Sequence, residues 1–168
     1  MAAIAENEAM RIAIGSDHTA FAFKSEVAKW LCDTEYDVVD FGAMSTEPVD
    51  YCDYGFAVAK SVVGGNFDRG LLFCGTGVGI GICANKVRGV RAVTCSEPYS
   101  AMLSRAHNDA NVLALGARVV GLELAKMIID VWIKTPFEGG RHTERIRKIQ
   151  FFEEQNRCVE GYADGSGA

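Results

Sequence analysis

The chain has 168 residues, 49% of them apolar and 23% charged, and carries a net charge of −5. That length suggests one domain with a sizeable core, and the composition is that of an ordinary soluble globular protein. The acidic balance argues against general nucleic-acid binding, which needs a basic surface, and no apolar run approaches the roughly 20 residues that span a bilayer.

The first ten residues, MAAIAENEAM, lack the basic start and apolar stretch of a secretory signal and read as a poorly ordered leader. A short apolar run, Ile12 to Ile14, predicts a buried strand that ends in the turn residues GSDH. AFKSEVAKWLC follows with Phe23, Val27, Trp30 and Leu31 at helical spacing, and YDVVDFG is the next strand. DYGFAVAKSVVGG predicts a helix with a glycine stop, RGLLFCG a strand, and GIGICANKV a helix despite its glycines. VRAVTCSE is a strand, PYSAMLSRAHN a helix with proline near its start, and ANVLALG a fifth strand. GLELAKMIIDVWIKT is a strongly amphipathic helix, RHTERIRKIQFFEEQNR a final one, and residues 158–168 read as an unstructured tail. Strands alternating with helices predict a single α/β domain, with a five-stranded, mostly parallel sheet between two helical layers.

The six cysteines, at 32, 52, 74, 83, 95 and 158, form no CxxC pair, and a chain of this length builds a core without staples. Reduced thiols in a cytoplasmic compartment are expected, most of them buried and inert.

In parallel sheets ligands bind beyond the carboxyl ends of the strands. The residues there are Asp17 and His18, the run Cys74 to Gly79, Ser96 and Glu97, and Gly116 to Arg118. Glycines at 75, 77, 79 and 81 can turn backbone N–H groups toward an anion; close helix–sheet packing is the alternative, and accounts for Gly81 better than for Gly75 or Gly77. A dinucleotide reading rests on Gly79-Ile80-Gly81-Ile82-Cys83-Ala84 as GxGxxA, with Glu97 as the ribose-binding acid. Its first glycine stands several residues beyond the strand, however, and the P-loop ending Gly-Lys-Ser/Thr is missing. Cys74 stands at a strand-to-helix corner, a setting that favours the nucleophilic or basic thiolate of a cysteine.

Other polar groups admit structural readings. Asp17 suits a helix cap, and His107 with Asn108 ends a helix, where a histidine often caps carbonyls. Arg141 and Arg145, four apart on one helix face, suit a solvated basic surface. Together these groups supply a base, proton shuttles and guanidinium groups. No HxxxH or HExxH metal-ligand pattern occurs, and no cofactor is expected.

GSDHTAF, CGTGVGIGICANK, RAVTCSEPYSAMLSRAHNDANVLALGARVVG and EGGRHTERI resemble the type B ribose-5-phosphate isomerases, in the wider group that includes galactose-6-phosphate isomerase. The resemblance runs from about Arg11 to Asn156. It implies a Rossmann-like three-layer α/β/α fold and a homodimer, or a tetramer of dimers, with sites at the subunit interface. It also implies metal-free interconversion of ribose 5-phosphate and ribulose 5-phosphate, in the non-oxidative pentose phosphate pathway. Cys74 matches the family's base; where some relatives carry a glutamate further along the loop, this chain has Ile80. Thr76 matches a residue handling hydroxyl protons, and His107 the group that opens the furanose ring. Asp17, His18, Gly75, Thr76, Gly77, Val78, Gly79, Asn108, Arg118, Arg141 and Arg145 match substrate-binding positions. Arg118, on a different element from the other two arginines, can approach a phosphate from another side or another subunit. A six-carbon substrate such as allose or galactose 6-phosphate remains the alternative within the group.

Overall fold

The structure is a computed structural model, and it describes residues 9–160, with side chains through 155. Five parallel strands, β1 (Arg11–Ser16), β2 (Asp37–Asp40), β3 (Arg69–Cys74), β4 (Ala92–Thr94) and β5 (Val112–Gly116), form one sheet in the order β2-β1-β3-β5-β4. The helices are α1 (Phe21–Cys32), α2 (Tyr51–Val63), α3 (Val78–Ala84), α4 (Pro98–Asn108), α5 (Leu122–Lys134) and α6 (Arg141–Glu160). The predicted elements are present. β4 is shorter than its sequence suggested, and a 3₁₀ turn at His18–Ala20 precedes α1. α6 continues to Glu160, three residues into the stretch read as tail; the rest of that tail and most of the leader lie outside the described residues.

The central strands are apolar on both faces because helices cover both. Leu71 and Phe73 of β3, with Leu113 and Leu115 of β5, pack toward α1, α4 and α5, against Val27, Ala101, Ile128 and Trp132. The alternate residues Leu72 and Cys74, with Val112 and Ala114, face α2 and α3 through Val58, Val62 and Ile80. On that second face small residues let the helices approach closely. A Cβ on Gly70 would lie 2.9 Å from Val58 Cγ1, and one on Gly55 of α2 3.2 Å from Cys83 Cβ of α3. The three-layer α/β/α expectation is therefore met. Cys74 is the last residue of a central strand, with its side chain on the α2–α3 side.

Candidate active site

β1 and β3 are neighbours whose onward connections run to opposite sides of the sheet, so a crevice opens between their carboxyl ends. Asp17 follows β1 and Cys74 ends β3 at this place. Asp17 is 6% exposed. Its Oδ1 accepts from the Thr19 and Ala20 amides at 3.0 and 3.1 Å and from the Thr19 hydroxyl at 2.6 Å, so it caps the turn leading into α1. His18 Nδ1 lies 3.1 Å from both the carbonyl oxygen and the amide nitrogen of Val49, which ties the turn to the segment before α2.

The glycine loop divides by position. Gly77 has φ +79°, and a Cβ there would meet the Leu115 carbonyl carbon at 2.8 Å. A Cβ on Gly79 would strike the Tyr51 ring at 2.8 Å, and one on Gly81 the Thr94 hydroxyl at 2.8 Å. Packing thus accounts for three of the four glycines, Gly77 included. Gly75 differs: its nearest neighbours are Arg118 Cδ at 3.6 Å, Thr19 Oγ1 at 3.7 Å and Arg118 Cζ at 3.8 Å, all side-chain atoms at ordinary contact distance. Thr76 and Val78 are exposed on the outer side of the loop. Cys74 Sγ turns inward and accepts the Gly77 N–H at 3.1 Å. The next connection is laced to the same corner, since Ala117 N–H donates to Cys74 O at 2.9 Å and Arg118 N–H to Gly75 O at 3.0 Å. Arg118 therefore belongs beside Cys74 within one chain.

His107, Asn108, Arg141 and Arg145 assemble elsewhere. α4 runs back from the carboxyl edge of the sheet to its amino edge. There Arg91, the residue before β4, donates from Nε to Asn108 O and Asp109 O at 2.9 Å each. Asp109 takes the left-handed conformation, φ 46° and ψ 45°, and its carboxylate accepts from Arg105 at 2.7 Å and Arg91 at 2.9 Å. This corner is fixed from both sides, and it carries His107. Glu138, after α5, donates its amide to Ala106 O at 3.0 Å and brings the start of α6 alongside. His142 of α6 then stacks on His107, with ring centroids 4.2 Å apart and planes within 6°. Exposed Arg141 and Arg145 flank it. The described chain thus places the expected site residues in two groups, each a candidate half-site: Asp17, His18, Cys74 to Gly79 and Arg118 at the carboxyl edge, and His107, Asn108, Arg141 and Arg145 at the amino edge. Between them runs the length of β3, about 16 Å at ~3.3 Å per residue.

The sequence reading did not single out Glu138 or His142. A histidine beside an arginine in a charged helix reads as solvent-facing; its signal was the helical spacing from buried Ile146, four residues on. His107, Glu138 and His142 offer ligand atoms all within 4.8 Å of one another, the one such group among the described residues. The parallel rings direct their lone pairs side by side rather than toward a common point, so the arrangement does not match a metal centre. The dinucleotide reading also loses its acid. Glu97 caps its own helix, accepting from the Tyr99 and Ser100 amides at 2.6 and 2.8 Å, and hydrogen bonding with Ser100 lowers its pKa.

A family profile described as Ribose/Galactose Isomerase matches residues 12–149. The chain belongs to the ribose/galactose isomerase family. It is 54% identical over 145 residues to ribose-5-phosphate isomerase B of Escherichia coli, covering 86% of this chain and 97% of that one. It is 42% identical over 149 residues to a D-erythrulose-4-phosphate isomerase of Pectobacterium atrosepticum, covering 88% and 98%. Among solved structures, ribose-5-phosphate isomerase B of Clostridium thermocellum superimposes with a TM-score of 0.86 at 52% identity, covering 88% of this chain and 99% of that one. The family match spans both groups of residues.

Proposed function

We propose that this isomerase interconverts D-ribose 5-phosphate and D-ribulose 5-phosphate through an enediolate, with Cys74 as the base. The observation that carries the chemistry is the place of Cys74. It ends a central strand at the crevice between β1 and β3, directly before the open backbone of Gly75 and Thr76. The Cys74 thiolate takes the proton from C2 of the open-chain aldose, and the electron pair moves onto the carbonyl oxygen. Loop N–H groups meet the developing oxyanion, each such donor typically contributing about 3 kcal/mol. The proton returns to C1, while Thr76 manages the hydroxyl protons. A matched general base adds roughly 10²–10⁴-fold. Asp17 and His18 hold the sugar from the β1 side. His107 opens the furanose ring, with Asn108 beside it, and the arginines clamp the phosphate through bidentate contacts.

The two half-sites support a dimeric site. Cys74 and Arg118 of one chain face His107, Asn108, Arg141 and Arg145 of the other, because no single chain brings them together. The five cysteines described are all unbridged, which suits a cytoplasmic enzyme of the non-oxidative pentose phosphate pathway. The test is a panel of four-, five- and six-carbon aldose phosphates compared by kcat/KM. The five-carbon substrate is expected to lead. Preference for erythrose 4-phosphate or allose 6-phosphate would overturn the substrate and keep the mechanism.

A further inference from the structure

His142 is the second residue of α6 and follows exposed Arg141, yet it is only 4% exposed. Arg141 Nε donates to its Nε2 at 3.4 Å, so Nε2 is an acceptor and the proton of the neutral ring sits on Nδ1. That Nδ1 is buried and has no hydrogen-bond partner among the described residues. A leucine would fill this space without an unmet donor, so filling alone does not account for a histidine here. What the ring does provide is a flat face against His107, 4.2 Å away. Glu138 Oε2 lies 3.7 Å from His107 Nε2 and 3.8 Å from His142 Nε2. Four groups face His142: His107 from α4, Glu138 from the preceding loop, and Arg141 and Arg145 from α6 itself. Burial first, then His107 and the two arginines, lower the pKa of His142 from the ordinary value, with Glu138 opposing.

We propose that His142 is a positioning residue for His107: its ring, stacked face to face, fixes the plane of the His107 imidazole beside Glu138. The proposal rests on the reading that His107 opens the furanose ring. Initial rates from ribose 5-phosphate, mostly furanose in solution, are compared with rates from erythrose 4-phosphate, an aldose whose phosphorylated O4 keeps it open-chain. His142→Leu fills the space without a flat face. It is expected to lower kcat/KM for ribose 5-phosphate about tenfold and for erythrose 4-phosphate less than about threefold. His142→Phe restores a flat face and is expected to recover most of that loss. Adding His142→Leu to His107→Ala should cost less than about a further twofold, because a group acting through His107 has nothing left to orient. Equal losses with both substrates, equal behaviour of the Leu and Phe variants, or full additivity in the double variant would overturn the proposal while leaving the role of His107 standing. If His107→Ala itself spares ribose 5-phosphate turnover, the underlying reading fails and the proposal with it.

Discussion

Cys74 is distinguished from the other thiols by its surroundings. Its sulfur accepts a backbone N–H at the end of a central strand, whereas Cys83 Sγ donates to Cys52 Sγ at 2.9 Å. That hydrogen bond, with desolvation and Asp50, pushes the Cys52 thiol up to about 12, and burial pushes Cys95 up to about 11. A raised thiol pKa keeps the unreactive protonated form to higher pH, so both stay thiols through neutral and mildly alkaline conditions. Native protein treated with iodoacetamide at about pH 8 should therefore show negligible label on Cys52 and Cys95 by peptide mapping; substantial label on Cys52 would contradict the pairing with Cys83. Cys74→Ala should fold and bind substrate but lose nearly all turnover, along with solvent hydrogen exchange at C2. Near-normal turnover would reject Cys74 as base.

At the scale of elements, the loop before α3 separates a glycine that packing demands from one that it does not. Gly77→Ala forces an L side chain into positive φ and against the Leu115 backbone, and should cost about 2–4 kcal/mol in denaturant unfolding. Gly75→Ala meets only ordinary side-chain contacts and should cost less than about 1 kcal/mol, while lowering kcat if the loop cradles the substrate as proposed. Equal destabilisation by both would mean that Gly75 too is a packing residue. The strands and helices were legible because apolar periodicity changes cleanly between them, from Leu71–Phe73 to the spaced Val58 and Val62 of α2. Asp17, Cys74 and Arg118 were legible by position, as residues just beyond strand ends. The other half-site was not, because His107 and Arg141 lie at the amino edge, where strand ends carry no ligand signal. Residue type drew notice to them, only the family resemblance gave them roles, and it left out His142, whose burial depends on a stack across two helices. The packing demand on Gly77 was not legible because it comes from β5, nearly forty residues away in sequence.

At the scale of the whole molecule, a parallel sheet with returning helices places everything after a strand at one edge and everything after a helix at the other. The proposed base and the proposed clamp residues Arg141 and Arg145 therefore stand on opposite edges of one chain, and the proposed dimer is what unites them. The direct test mixes Cys74→Ala chains with chains carrying Arg141→Ala and Arg145→Ala, each inactive alone, under conditions where subunit exchange is proven by differently tagged chains. In a twofold dimer, each mixed pair contains one intact site, so random re-association should restore about a quarter of wild-type turnover of ribose 5-phosphate. No recovery, with exchange demonstrated, would contradict a site built from two chains.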